Sequence, residues 1–169
     1  MRILVMSDTH GEYRCINQVR QYVGPVDAIF HCGDSELDAH HESLKDAFVV
    51  SGNCDWDSSF PNDVITEVAG SRIFMAHGHL FQVKSTMMPL SYRAQEVTAD
   101  VVLFGHSHLM GAELVNDTLF VNPGSLSIPR GRKEKSYAII EKTIGEWRVT
   151  FFSEQHEELE KCIFSFIKK

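Results

Sequence analysis

Five short apolar runs constrain this chain more than any other feature, because each stops at a histidine, aspartate or asparagine and most carry a glycine alongside. The clearest is Val101 to Phe104, followed by Gly105-His106-Ser107-His108. Four consecutive apolar residues ended by a glycine suit a strand covered on both faces. Glycine then lets the chain turn without a β-carbon in the way. Ile3 to Met6 reaches Asp8 and His10, Val26 to Phe30 reaches Gly33-Asp34, Phe48 to Val50 reaches Gly52-Asn53, and Arg72 to Ala76 reaches His77. The chemistry-bearing residues thus follow strand ends, where open α/β sheets place their sites.

Between these runs the pattern alternates. Tyr13 to Val23 reads as a helix stopped by Gly24-Pro25, and Leu37 to Lys45 as a short polar helix. Strand, helix, strand, helix, strand is the rhythm of a parallel sheet. Val64 to Val68 and Arg72 to Ala76 flank Gly70-Ser71 as a hairpin, and Pro89 to Thr98 reads as a helix with proline in its first turn. Later the strands turn antiparallel: Ala112 to Val115 with Thr118 to Val121 around Asn116-Asp117, then Tyr137 to Glu141 with Trp147 to Phe152. Leu159, Cys162, Ile163, Phe166 and Ile167 are spaced as one face of a terminal helix that packs on the domain. The expected architecture is one α/β domain over residues 1–169, with two layered sheets and helices outside.

Length and composition agree with a globular domain holding a real core: 169 residues, 43% hydrophobic and 23% charged. A net charge of −7 argues against non-specific nucleic-acid binding, although carboxylates in that count also suit cations. No apolar run approaches the ~20 residues of a membrane span, and the opening residues do not read as a signal peptide. Cys15, Cys32, Cys54 and Cys162 form no Cys-x-x-Cys pair, so reduced thiols in a cytoplasm are expected.

Each strand-end residue has an ordinary explanation alone, as a helix cap, a turn former or a hydrogen-bonded loop histidine. That explanation must hold independently at five strand ends. Asp8, His10, Asp34, Asn53, His77, His106 and His108 together offer seven oxygen or imidazole ligands. One cation cannot use seven, whereas two cations about 3.5–4 Å apart sharing a carboxylate can.

The order Asp8-x-His10, Gly33-Asp34, Gly52-Asn53, His77 and Gly105-His106-x-His108 resembles the calcineurin-like metallophosphoesterases over Met1 to about Gly131. The small size, with Ser7-Asp8-Thr9-His10-Gly11, Gly52-Asn53-Cys54-Asp55, His77-Gly78-His79 and Asn122-Pro123-Gly124-Ser125, is similar to the YfcE-like phosphodiesterases. The resemblance implies a four-layer α-β-β-α sandwich of two mixed sheets. It implies Asp8, His10 and His108 on a first metal, Asn53, His77 and His106 on a second, and Asp34 between them. Nitrogen and oxygen ligands fit Mn²⁺, Fe, Ni²⁺, Co²⁺ or Zn²⁺, with manganese the first expectation. The implied reaction is attack of a hydroxide bridging the two metals on a small phosphodiester or nucleotide-type substrate.

The family's phosphatases often carry a histidine after the metal-binding asparagine, and Cys54 stands there instead. Without that acid, activated phosphodiesters should outrun alkyl monoesters. His79 either supplies the proton or merely packs behind the ligands. Arg130, with Asn53 and His77, is the expected substrate contact, since guanidinium matches phosphate; Arg132, Lys133 and Lys135 read as ordinary loop cations. The competing function is a catalytically weak scaffold for protein partners, as in the retromer subunit of this fold. Homo-oligomers occur among relatives, and nothing in the pattern selects one.

Overall fold

The computed structural model describes residues 1–166. In chain order the elements are β1 (Arg2–Met6), α1 (Tyr13–Val23), β2 (Ala28–His31), β3 (Ala47–Val49), β4 (Asp63–Val68), β5 (Ser71–Ala76), α2 (Met88–Glu96), β6 (Val101–Leu103), β7 (Gly111–Val115), β8 (Thr118–Asn122), β9 (Ser136–Thr143), β10 (Glu146–Ser153) and β11 (Glu158–Ser165). The strands make two mixed sheets, ordered β11-β10-β9-β1-β2-β3 and β4-β5-β6-β8-β7. The parallel strands are β1, β2 and β3 in one sheet and β5, β6 and β8 in the other.

Strand alternation sorts the core into layers. Ile3, Val5, Ile140 and Phe151 from the first sheet meet Ile73, Met75, Val101 and Val121 from the second in one buried cluster. Leu4 and Met6 face the other way, onto Ile16, Val19 and Val23 of α1. Phe74 and Val102 likewise back onto Leu90 and Ala94 of α2. Helix, sheet, sheet, helix is the expected four-layer sandwich. Because both faces of the central strands are covered, their sequences read as unbroken apolar runs.

Both hairpins form, the later one around Asn116-Asp117 as expected and the earlier one turning at Ala69-Gly70, one residue before the expected Gly70-Ser71, because Ser71 already pairs with Val68. Asn116 and Asp117 have φ of 49° and 65°, and Ala69 and Gly70 have φ of 48° and 74°. Two successive positive φ values give the type I′ twist that matches antiparallel strands.

Two sequence expectations are corrected. Leu37 to Lys45 is not a helix: a single 3-10 turn spans Glu42–Leu44. Side chains satisfy the backbone there instead, with Ala39 N–H donating to Asp57 at 2.8 Å and His40 N–H to Asp38 at 2.8 Å. The terminal segment is also not a helix but β11, antiparallel to β10. A bulge at Phe151/Phe152 leaves Leu159 out of the pairing, after which Cys162, Phe164 and Phe166 turn inward. The resulting spacing of three, then two, imitates a helical stripe. Ile163, assigned to that stripe, is exposed, and Ile167 lies outside the described residues.

Candidate metal centre

The carboxyl ends of β1, β2, β5 and β6 open on one edge of the sandwich, and backbone hydrogen bonds lock their loops together. Asp8 N–H donates to Gly33 O, His10 N–H to Asp34 O, and Gly105 N–H to His77 O, each at 3.0 Å. Asp8, His10, Asp34, His106 and His108 all adopt positive φ, between 45° and 65°. Left-handed backbone is uncommon for residues with a β-carbon and concentrates at functional sites. Here it turns each chain sharply enough to aim the side chain back across the strand ends.

Two glycines are required by close approach. A β-carbon on Gly105 would collide with Ser7 Oγ and Asp8 Oδ2, and one on Gly52 with the Asp34 carboxylate and amide.

Six of the seven predicted ligands gather in two groups. Asp8, His10 and His108 bring one ligand atom each within 4.8 Å of one another, and Asp34, His77 and His106 do the same. His77 Nε2 connects them, 3.3 Å from Asp34 Oδ2 and 3.9 Å from Asp8 Oδ1.

Three imidazoles are anchored through Nδ1: His10 at 2.6 Å from Glu36 Oε1, His77 at 2.7 Å from the Cys32 carbonyl, and His108 at 2.6 Å from the Ile128 carbonyl. These acceptors fix the Nδ1–H tautomer and leave each Nε2 for a cation. The carboxylates divide their oxygens in the same way. Asp8 Oδ2 accepts from Ser7 Oγ at 2.5 Å and His106 N–H at 3.1 Å, while Asp34 Oδ1 accepts from Cys54 N–H at 2.7 Å. Asp8 Oδ1, His10 Nε2 and His77 Nε2 remain buried without a well-formed hydrogen bond, although His108 Nε2 lies 3.0 Å from Asp8 Oδ1. Buried polar atoms rarely go unpaired. Converging on one edge, these fit divalent cations.

The electrostatics point the same way. Burial would raise Asp8, but contact with His108 and the charge of His77 hold it below the usual carboxylate range. Burial also works against the charged form of Asp34, and His77 overrides it, keeping Asp34 well below that range. In return Asp34 and Asp8 lift His77 above its ordinary value against its own burial, and Asp8 lifts His108. His106, by contrast, is pushed down to about 4 by burial, then by His77 and Lys84. Two carboxylates therefore pull positive charge into this edge from whatever source is at hand.

The remaining sequence-derived residues lie at the margin. Asn53 is exposed, and its Nδ2 donates to Cys54 Sγ at 3.3 Å. His79 lies beside His77, with ring centroids 5.4 Å apart and the rings tilted by 56°, and burial together with the His77 charge lowers its pKa. Arg130 is exposed, and its backbone N–H donates to the His108 carbonyl at 3.1 Å. Arg132 is turned to Met110 Sδ and Glu134, and Lys135 to Glu154.

Two residues carry more of the site than their sequence context announces. Asp55 accepts the amides of Gly52, Asp34 and Glu36 at 2.7, 2.8 and 2.7 Å, tying the Asp34 loop to the Asn53 loop. Glu36 anchors His10. Both act through partners far away in the chain; only the place of Asp55 in Gly52-Asn53-Cys54-Asp55 hinted at a role. The Asn122-Pro123-Gly124-Ser125 loop is likewise a brace. Asn122 Nδ2 donates to Gly105 O and Ser107 Oγ, and Ser125 Oγ to the Asp8 carbonyl.

The sequence of the calcineurin-like phosphoesterase superfamily domain matches residues 1–143. The chain belongs to that superfamily. It is 38% identical over 161 residues to the probable metallophosphoesterase YsnB of Bacillus subtilis (strain 168), covering 95% of each chain. Over 114 residues it is 32% identical to the phosphodiesterase YfcE of Escherichia coli (strain K12), covering 62% of this chain and 57% of YfcE. A crystal structure of a predicted phosphoesterase from Streptococcus pneumoniae TIGR4 superposes with a TM-score of 0.94 at 40% identity, covering 98% of this chain and 97% of that one. Vacuolar Protein Sorting 29 from Cryptosporidium parvum shares the fold, with a TM-score of 0.80 at 18% identity and 98% of each chain covered. The family binds divalent metals. Among the described residues, no helix is long and apolar enough to cross a membrane.

Proposed function

We propose that this chain is a metal-dependent phosphodiesterase that holds two divalent cations, manganese being the first choice. The observation that carries this reading is the set of three Nδ1-anchored histidines: Nε2 of His77 and His108 meets the free oxygens of Asp34 and Asp8, and Nε2 of His10 is left buried without a partner. Asp8, His10 and His108 would hold one cation; Asn53, His77 and His106 would hold the other; Asp34 would contact both. When bound, the pair supplies Lewis acidity and an activated water for attack on phosphorus.

The chain's own residues do the rest. Glu36, Cys32 and Ile128 orient the imidazoles. Arg130 stands beside His108 to meet phosphate oxygens. Burial and the charge of His77 lower the pKa of His79, and no histidine follows Asn53. A protein that leaves departure to the leaving group's own acidity favours activated diesters, and a small phosphodiester or nucleotide-type substrate in a cytoplasmic setting suits this site.

The test is hydrolysis of bis(4-nitrophenyl) phosphate against 4-nitrophenyl phosphate, on stripped protein reloaded with Mn²⁺, Ni²⁺ or Zn²⁺, with His108→Ala alongside. Metal-dependent diester cleavage that is lost in the variant supports the reading. Faster monoester cleavage would reassign the proton donor. Bound cations without turnover would favour the scaffold.

A further inference from the structure

Beside the metal-ligand loop lies a groove of about 610 Å³. Phe104 and Phe120 line it, with Val83, Met87 and Leu109 around them. The loop that carries the histidines forms its lip: Phe104 precedes His106 by two residues, Ser107 separates the two ligands, and Leu109 follows His108. The groove therefore adjoins the loop that carries His106 and His108.

Its charge is uneven in a useful way. Lys84 and Arg130 stand in its wall and are exposed, against one carboxylate, Glu113. Lys84 lies near enough to His106, and Arg130 to His108, for their charges to be felt there. In a chain of net charge −7, a locally cationic apolar groove is a site for an anion with an apolar body. Its volume is that of a small-ligand pocket, and its mostly apolar wall suits a flat ring better than a sugar or an extended phosphate chain.

We propose that this groove binds the organic ester group of the substrate, an aromatic ring of nucleobase or phenyl size, while its phosphate sits at the metal centre between Arg130 and Lys84. This rests on the phosphodiesterase reading and adds the class of ester group that the site selects.

Binding separates the two ideas. Protein reloaded with Mn²⁺ is titrated by calorimetry with inorganic phosphate, phenyl phosphate and adenosine monophosphate. The ring-bearing ligands should bind about tenfold more tightly than inorganic phosphate, the worth of a partly buried ring. Met87→Asn should erase that difference and leave the affinity for inorganic phosphate in place, since it removes the apolar contact without adding charge. Met87 is exposed and is the N-cap of α2, a position that tolerates asparagine, so this variant should fold. In ¹³C-methyl spectra, the Met87 signal should move with phenyl phosphate and stay still with inorganic phosphate.

Equal affinity for all three ligands, or an equal loss for all three in Met87→Asn, overturns the groove. So does a dimer that Met87→Asn dissociates while the ring preference persists, since the groove would then be covered by a second copy. Failure of inorganic phosphate to bind the metal-loaded protein would instead overturn the phosphodiesterase reading beneath it.

Discussion

Glu36 Oε1 lies 2.6 Å from His10 Nδ1, and this contact leaves His10 Nε2 buried and free at the metal edge. Glu36 reaches it from a left-handed backbone with φ of 53°, two residues after Asp34. Removing such an anchor lets the ring rotate and typically weakens metal affinity about 10–100-fold. Glu36→Ala should show that loss for Mn²⁺ in competition with a chromophoric chelator, with Glu36→Gln between it and the parent. Unchanged affinity in both would mean that His10 does not ligate through Nε2.

The Gly105 backbone packs directly on Ser7 and Asp8, with no room for a β-carbon. Gly105→Ala must therefore push either β1 or the His106 loop outward. The interior around Asp8 is fully buried, so the protein should lose about 1–3 kcal/mol, as overpacked cores do. Denaturant melts of metal-free protein check the stability, and chelator competition checks the metal affinity. A variant with parent-like values in both would show that the strand ends are looser than their hydrogen bonds imply.

Much of this is legible in the sequence. The parallel strands carry unbroken apolar runs because both faces are covered, and their ends carry the ligands, so runs and ligands point to one edge. What escaped the sequence depends on contacts made across the fold. A bulge opposite Phe151/Phe152 displaced the β11 pattern by one residue and gave it helical spacing. Asp57 and Asp38 captured the amides that a helix after Leu37 would have used. Glu36 and Asp55 act mainly on groups 19 to 26 residues away in sequence, and only the place of Asp55 in Gly52-Asn53-Cys54-Asp55 hints at that work. Arg130 could be singled out among four cations, but that Arg132 and Lys135 are engaged elsewhere depends on side-chain geometry.

His31 offers a pH-dependent readout of the same core. It is fully buried, with Nε2 3.0 Å from Thr9 Oγ1 and Nδ1 unpaired. Burial pushes its pKa down to about 4, only partly offset by Asp55 and Asp8, against 6.5 in an open chain. Below 6.5 the unfolded chain takes up a proton that the folded protein refuses until about 4. The stability owed to neutral His31 is therefore complete above pH 6.5 and lost as pH falls from there toward 4, by about 3 kcal/mol at most. Comparing urea midpoints of metal-free parent and His31→Gln at pH 7.5 and 4.5 isolates this contribution. The parent should fall further than the variant, and parallel losses would assign the acid sensitivity to other groups.

Cys54 sets the last expectation. Its thiol is pushed up to about 11, first by desolvation and then by the charges of Asp34, Glu36 and Asp55. At neutral pH it is a protonated but reluctant donor, several units from the range in which an acid transfers a proton efficiently. The leaving group must then depart largely on its own acidity. Across a series of methyl aryl phosphodiesters on Mn²⁺-loaded protein, kcat/KM should fall steeply as the phenol pKa rises. Cys54→His would place an imidazole at the same point of the loop. It should raise the slow end of the series by about 10²-fold or more while changing the fastest substrates little, since those need no proton. A flat series in the parent would show that another group already supplies the proton, and an unaltered slope in Cys54→His would show that this position does not reach the leaving oxygen.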